Sequence, residues 1–427
     1  MCCGCSFLRA SALLTPFLAA LAVVSCGMRD HQPDDCSRVP SSPRADAKDA
    51  VLHVRDSAGI RIVESFDRDQ LGRLPRWTLR NDPHLRIGSL EEGPAAFGRI
   101  AGIAAGPDGT LYVSDALNFQ IRAFSRVGEW RWSKGRLGDG PGEFRGVQGI
   151  ELCGGRIVVA DLFSRRLTVF DDAGSVLGTE RWSPAVGGFV PSRWTCDVSG
   201  MWLQIDRESV ARVEEGPHRV RAHLSTGAFG EKRVQPLGGD FWIDRYRHTT
   251  IDGPSDLGTS TLGTVFSGGV HIVDTGRAEL RTYSSHGTLV RIVRWYVEPR
   301  VVTREFLREE ADARSKVLRP EQRSTYRALW LSLRHPSVLP VSDTLIPVPG
   351  GGVWVRRFEP RSSGARHREW WMISADGMLT GVLEVPEGLS LRRVVPEGAI
   401  GVVRDSLGVQ FVELRQVLER GDGYHAP

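Results

Sequence analysis

The sequence predicts an all-β chain folded as a propeller of four-stranded blades, and three observations carry that expectation. The segment GPAAFGRIAGIAAGPDGTLYVSDALNFQIRAF at 93–124 recurs as GPGEFRGVQGIELCGGRIVVADLFSRRLTVF at 140–170. The copies are 46 or 47 positions apart, as Phe97/Phe144, Asp115/Asp161 and Phe124/Phe170 show, and a period in the forties built of short strands belongs to propeller blades or solenoid units. Each copy also breaks into short β-rich runs separated by turn residues.

In the second copy, 149–152, 156–160, 167–170 and 175–181 read as four strands, the number in a propeller blade. Pro107-Asp108-Gly109, Gly154-Gly155 and Asp171-Asp172-Ala173-Gly174 supply the positive φ of tight hairpins. Inner runs such as Ile157-Val158-Val159 are continuous rather than alternating, as expected of strands packed on both faces.

GDGPGEF at 138–144, Gly149-Ile150, the run from Arg156 to Asp161 and the run from Leu167 to Phe170 resemble the NHL repeat of six-bladed β-propellers. The first copy resembles it through 106–115 and 118–122. Degenerate copies follow at 197–203, at 267–274 with 281–283, at 349–355 with 370–377, and at 396–403 with 408–414. The count reaches six, so the expected fold is a six-bladed β-propeller over residues 51–417, followed by a C-terminal tail at 418–427. A closed ring needs its last blade completed from both chain ends, since an open edge exposes core and invites aggregation. The strand-like run at 54–64, with a turn at Ser57-Ala58-Gly59, is expected to pair with the last blade.

One stretch departs from the blade rhythm. Residues 303–318 are rich in helix formers, Pro320 sits where a second helix would begin, and Tyr326, Leu329, Trp330 and Leu333 fall at i, i+3, i+4 and i+7. A helical hairpin at 303–336 is expected, its apolar stripe either packed on the propeller or offered to a partner through Trp330.

The N-terminus predicts an address. A single positive charge precedes the apolar run 10–24, which is too short for a membrane span and ends Val23-Val24-Ser25-Cys26-Gly27. This ending resembles a bacterial lipobox. The resemblance implies a signal peptide over 1–25, cleavage before Cys26, and lipid attachment to that cysteine, whose thiol alone gives the thioether. Acyl chains would hold the exported protein on a membrane of the cell envelope. Residues 26–50 then read as anchor and tether, polar and unable to bury enough apolar surface to fold. Export permits disulfides. Cys153 and Cys196 lie near corresponding hairpins of adjacent blades and are either bridged or two buried thiols.

The net charge of +4 is small for 427 residues, and no Lys/Arg block of the kind that follows phosphates is present. Nucleic acid is therefore not an expected partner. Asp115, Asp161 and Asp274 each follow a second strand in the same register and read as turn-shaping residues that bond nearby amides. The 11 histidines form no HExxH or HxH and no Cys/His pair at zinc spacing, and no nucleophile elbow, P-loop or dinucleotide fingerprint appears. No cofactor is expected. The run Asp240-Phe-Trp-Ile-Asp-Arg-Tyr-Arg-His248 reads as an aromatic-basic loop whose Trp242, Tyr246 and Arg247 are residue types favoured at binding hot spots; such loops also merely fold back. The expected function is a binding or scaffolding module for a protein, peptide or glycan. The alternative is a metal-dependent lyase or hydrolase working in the central channel, as in some six-bladed relatives.

Overall fold

The computed structural model describes residues 52–209, 216–231, 234–248, 251–254 and 257–420, with the backbone alone at 216, 217, 246–248 and 251–254. The signal peptide, Cys26 and the tether lie outside the described residues, as do 421–427.

The repeat folds as read. Blade 2 consists of Val147–Cys153, Arg156–Asp161, Arg166–Phe170 and Val176–Arg181, paired antiparallel in that order from the channel outward. Gly109, Gly154, Gly155 and Gly174 take positive φ in the hairpins that join such strands. Blade 1 begins at Ile100, blade 3 at Phe189, blade 4 at Thr261, blade 5 at Ser342 and blade 6 at Leu389. The inner strands touch in a cycle: each contacts the next, and that of blade 6 returns to that of blade 1. Each of the six blade interfaces holds its own apolar cluster. This explains why the inner runs are continuous, since no single blade can hide both of its faces.

Closure differs from the expectation. The run at 54–64 forms the hairpin Leu52–Ser57 and Ile60–Ser65, and its second strand lies parallel to Leu289–Trp295 on the outer edge of blade 4, not on the last blade. The chain then follows the outside of the ring. Arg76–Leu79 joins the outer edge of blade 5 beside Leu379–Pro386, and Leu85–Ile87 becomes the fourth strand of blade 6, paired with Gln410–Arg415. Three residues carry no readable strand pattern, whereas the longer hairpin does; that asymmetry misdirected the sequence reading. The last strand, Val417–Glu419, pairs with Arg76–Leu79, so the blade structure runs two residues into the stretch read as tail.

The aspartates act as hubs. Buried Asp115 accepts from the amides of Gly98, Arg99, Leu117 and Asn118, tying the second strand of blade 1 to the connector that enters it. Asp161 does the same in blade 2 through the amides of Arg145, Phe163 and Ser164. Asp274 caps the amide of Gly276. In blade 3 the role falls to Asp206, which accepts from Ala185 N.

The helical insertion is present between blades 4 and 5. Arg304–Ser315 starts at Thr303, whose hydroxyl accepts from Phe306 N, and Pro320–Ser332 has proline in its first turn. Trp330, 5% exposed, packs with Ala311, Leu257, Leu339 and Phe358, while Leu329 of the expected stripe faces out.

One buried histidine couples blades 4 and 5. His271 lies against the Phe266 ring at 4.3 Å; its Nε2 donates to the Gly351 carbonyl at 3.1 Å, so its Nδ1 accepts from the Thr282 hydroxyl. Burial, reinforced by Arg291, pushes its pKa down to about 4. Because the native ring stays neutral while the unfolded one takes up a proton, stability is flat above pH about 6.5 and falls with acid until about pH 4. The expected loss is roughly 3 kcal/mol across that window. Denaturant midpoints measured between pH 4 and 7 would show it, and a His271→Gln variant would lack this component of the slope.

Candidate ligand channel

Inner strands that run straight would present only backbone to the ring axis. Here the ladder skips one residue of the inner strand in five blades: Ala101, Gln148, Ser192, Asp343 and Arg392. A bulge re-aims the side chain it carries, and four of these five line a central channel of about 560 Å³. All six inner strands contribute to its wall.

Three arginines, none singled out from the sequence, stand in this wall. Arg393 is paired: Nε donates to the Ile103 carbonyl at 3.0 Å and a terminal nitrogen meets Glu151 at 2.6 Å. Glu151 also accepts from the Thr195 hydroxyl at 3.1 Å. Arg193 and Arg392 have no hydrogen-bond or ion-pair partner among the described residues, yet both side chains stay open to the channel solvent. Both keep solvent contact, but the walls of the channel thin the water around them: this desolvation lowers the pKa of Arg193, partly offset by Glu151, and, with the like charge of Arg356, that of Arg392. Arg356 itself is paired with Asp343 at 2.6 Å. The remaining carboxylate of the lining, Asp197, accepts from Ser199 and Met201 in the hairpin at the far end of the inner strand.

This donor set does not suit a divalent cation. Among the described residues no three His, Cys, Asp or Glu side chains converge, and the channel arginines would repel a metal. Among the described residues, the channel lining thus brings together no set of three such ligands.

The antiparallel order of each blade puts the start of the inner strand, the loop between second and third strands and the exit to the next blade on one face, here called upper. The helical hairpin leaves from this face, and the second and fourth strands of the blade 3 order end there at Glu208 and His248. Three exposed apolar tips lie there too, at one loop position of adjacent blades: Leu407, Leu117 and Phe163, the last 77% exposed. Variable insertions and exposed apolar tips are features of binding faces.

The sequence-derived residues are scattered. The run 240–248 is mostly strand, Phe241–His248, rather than a loop: Phe241 and Arg245 are buried and Trp242 is half-buried, its ring 4.8 Å from the Arg219 guanidinium and its amide donating to Thr261. Tyr246 and Arg247 lie on that strand, their side chains outside the described residues. Trp330 is packed inside, with His335 at 4.2 Å between ring centres. Neither Trp242 nor Trp330 lines the channel. Cys153 and Cys196 end the inner strands of blades 2 and 3 on the lower face and are joined in a disulfide, Cα to Cα 5.4 Å. On the loop-entropy argument, removing a bridge across 43 residues costs about 2–4 kcal/mol. A Cys153→Ala/Cys196→Ala variant should lose that much in denaturant unfolding, and alkylation without reduction should leave both sulfurs untouched.

No family model and no curated protein matches the chain. Among solved structures it is similar to a DUF4221 family member from Bacteroides vulgatus, at 10% identity, 82% of this chain, 100% of the other and TM-score 0.46. It is also similar to a protein from Bacteroides fragilis named as a candidate exported protein, at 11% identity, 84% and 99% coverage and TM-score 0.47. Calcium-binding regucalcin from Agrobacterium tumefaciens matches at 13% identity, 81% and 97% coverage and TM-score 0.38. At such identities and TM-scores these likenesses carry no argument about function.

Proposed function

We propose that this chain is an exported, lipid-anchored propeller of NHL type that binds a protein, peptide or glycan. The observation that carries the binding reading is the presence of the helical insertion and three exposed apolar loop tips on the face where the inner strands begin. The lipobox-like ending at Cys26 supports the anchor, and the absence of convergent metal ligands among the described residues weighs against the lyase or hydrolase reading.

Site-specific photo-crosslinking in the producing cell tests this. A crosslinker at Phe163 on the upper face is expected to capture a discrete partner, whereas one at Val198, exposed in a lower-face hairpin, captures none. Equal capture at both positions, or at neither, would refute the assigned face. A Cys26→Ser variant is expected to leave the membrane fraction. Stoichiometric zinc or calcium, removed together with a measurable turnover, would reverse the conclusion in favour of the metal-dependent enzyme.

A further inference from the structure

We propose that the central channel is a binding site for an oxyanion-bearing small ligand, a carboxylate or a phosphate, held by Arg193 and Arg392. The inference rests on the binding reading above and adds the chemical class of what enters the channel.

An arginine that ties two elements of a fold together does so through paired guanidinium nitrogens. Arg393 shows what that looks like here, with one carbonyl and one carboxylate on its nitrogens. Arg193 and Arg392, on inner strands of blades 3 and 6, have neither, although all five nitrogen-bound hydrogens of each are available. The carboxylates that could have neutralised them are committed elsewhere: Glu151 to Arg393 and Thr195, Asp343 to Arg356, Asp197 to its own hairpin. The channel therefore carries positive charge that the protein itself does not cancel.

The way Arg392 is presented points in the same direction. It occupies the bulge of its strand, the one residue freed from the ladder, in a position where the corresponding residues of blades 1, 2 and 3 are Ala101, Gln148 and Ser192. In blade 5 the bulge residue is Asp343, which is turned to Arg356 and does not line the channel, so Arg392 is the one charged bulge residue in the described lining. Hydroxyl and amide groups of Gln148, Ser192 and Ser260 share the lining, so a ligand gripped through its anionic group would find hydrogen-bonding partners around it. A planar guanidinium matches the two oxygens of a carboxylate or phosphate.

The full chain, purified in detergent, would be titrated calorimetrically with inorganic phosphate, citrate, glucuronate and, as the uncharged control, glucose. Saturable one-to-one binding of at least one anion is expected, weakening with added salt, with no heat from glucose. Binding by phosphate alone would assign a phosphate ligand; binding by citrate or glucuronate without phosphate would assign a carboxylate. Arg193→Gln and Arg392→Gln are each expected to weaken binding about tenfold or more, with Arg392→Lys recovering part of it. The ligand-free variants should melt no lower than the parent, since each removes an unpaired charge.

Failure of all three anions to bind would overturn the proposal, as would binding that both glutamine variants retain. A fall of several degrees in the melting temperature of the ligand-free variants would also overturn it, because the arginines would then be structural. A protein that binds none of the anions yet still crosslinks a partner at Phe163 would remove this inference and leave the binding function standing.

Discussion

Replacing Ile87 by aspartate is expected to open the ring. Ile87 is 3% exposed and belongs to the cluster joining blades 6 and 1, in contact with the same core as Phe97, Val113 and Val412. Its three-residue strand is the only N-terminal contribution to blade 6 among the described residues, and it pairs with Val412, Glu413 and Leu414. The substitution removes the apolar contact and puts a carboxylate without a partner into that core, for a combined cost on the order of 4 kcal/mol. Denaturant unfolding should show a much lower midpoint. The matching change Val54→Asp, on the exposed strand of the blade 4 hairpin, should shift the midpoint by less than about 0.5 kcal/mol. Deleting 52–65 should destabilise through loss of the buried Ile62 and Val63 but leave six four-stranded blades and a cooperative transition. If that deletion abolished folding while Ile87→Asp did not, the hairpin and not Leu85–Ile87 would be the seal.

The second large effect is expected at Glu310. Its carboxylate is fully buried, 2.7 Å from Arg314 one turn further along the helix, and accepts from the amides of Arg361 and Ser362 in the loop of blade 5. Burial pushes its pKa up, but the Ser362 amide, Arg314 and the Arg361 amide outweigh this and hold it below the usual glutamate value. A depressed carboxylate stabilises the native state at neutral pH and loses that contribution as pH falls through the native pKa. Glu310→Ala removes the carboxylate that pairs with Arg314 and leaves the Arg361 and Ser362 amides without their acceptor, so a loss of about 3 kcal/mol is expected. The hairpin makes its own cluster, apart from the six blade interfaces, so the damage should stay local. Hydrogen exchange would accelerate across residues 304–332 while the blades remain protected, and Trp330 fluorescence would shift red. Trp330→Ala should give a similar loss through its cavity, consistent with a residue that packs the hairpin down rather than one that waits for a partner. Undocking without loss of upper-face crosslinking would show that the hairpin is not the recognition element.

Legibility in the sequence followed the range of the interactions. Blade 2 could be read strand by strand because its hairpins are made by neighbours in the chain, with Gly154-Gly155 and Asp171–Gly174 setting the turns. The aspartate hubs could be read for the same reason: Asp115 and Asp161 bond amides close by in sequence. The hairpin insertion showed through its helix formers, Pro320 and the Trp330 stripe. The run 240–248 was misread because its mixture of aromatic and charged side chains hid an alternation in which Phe241 and Arg245 turn inward.

The sequence by itself determined the blade repeat, the number of blades, the turn chemistry and the place of the helical insertion, because each is specified by side chains within one repeat length. Only the tertiary structure decided which edge the first hairpin covers, which three residues seal the ring, and that Arg193, Arg392 and Arg393 share one channel. Arg193 lies about two hundred positions before the adjacent Arg392 and Arg393, and it meets them only when six sheets close around an axis. Positive charge in the channel is thus a property of the ring, which no blade read alone contains.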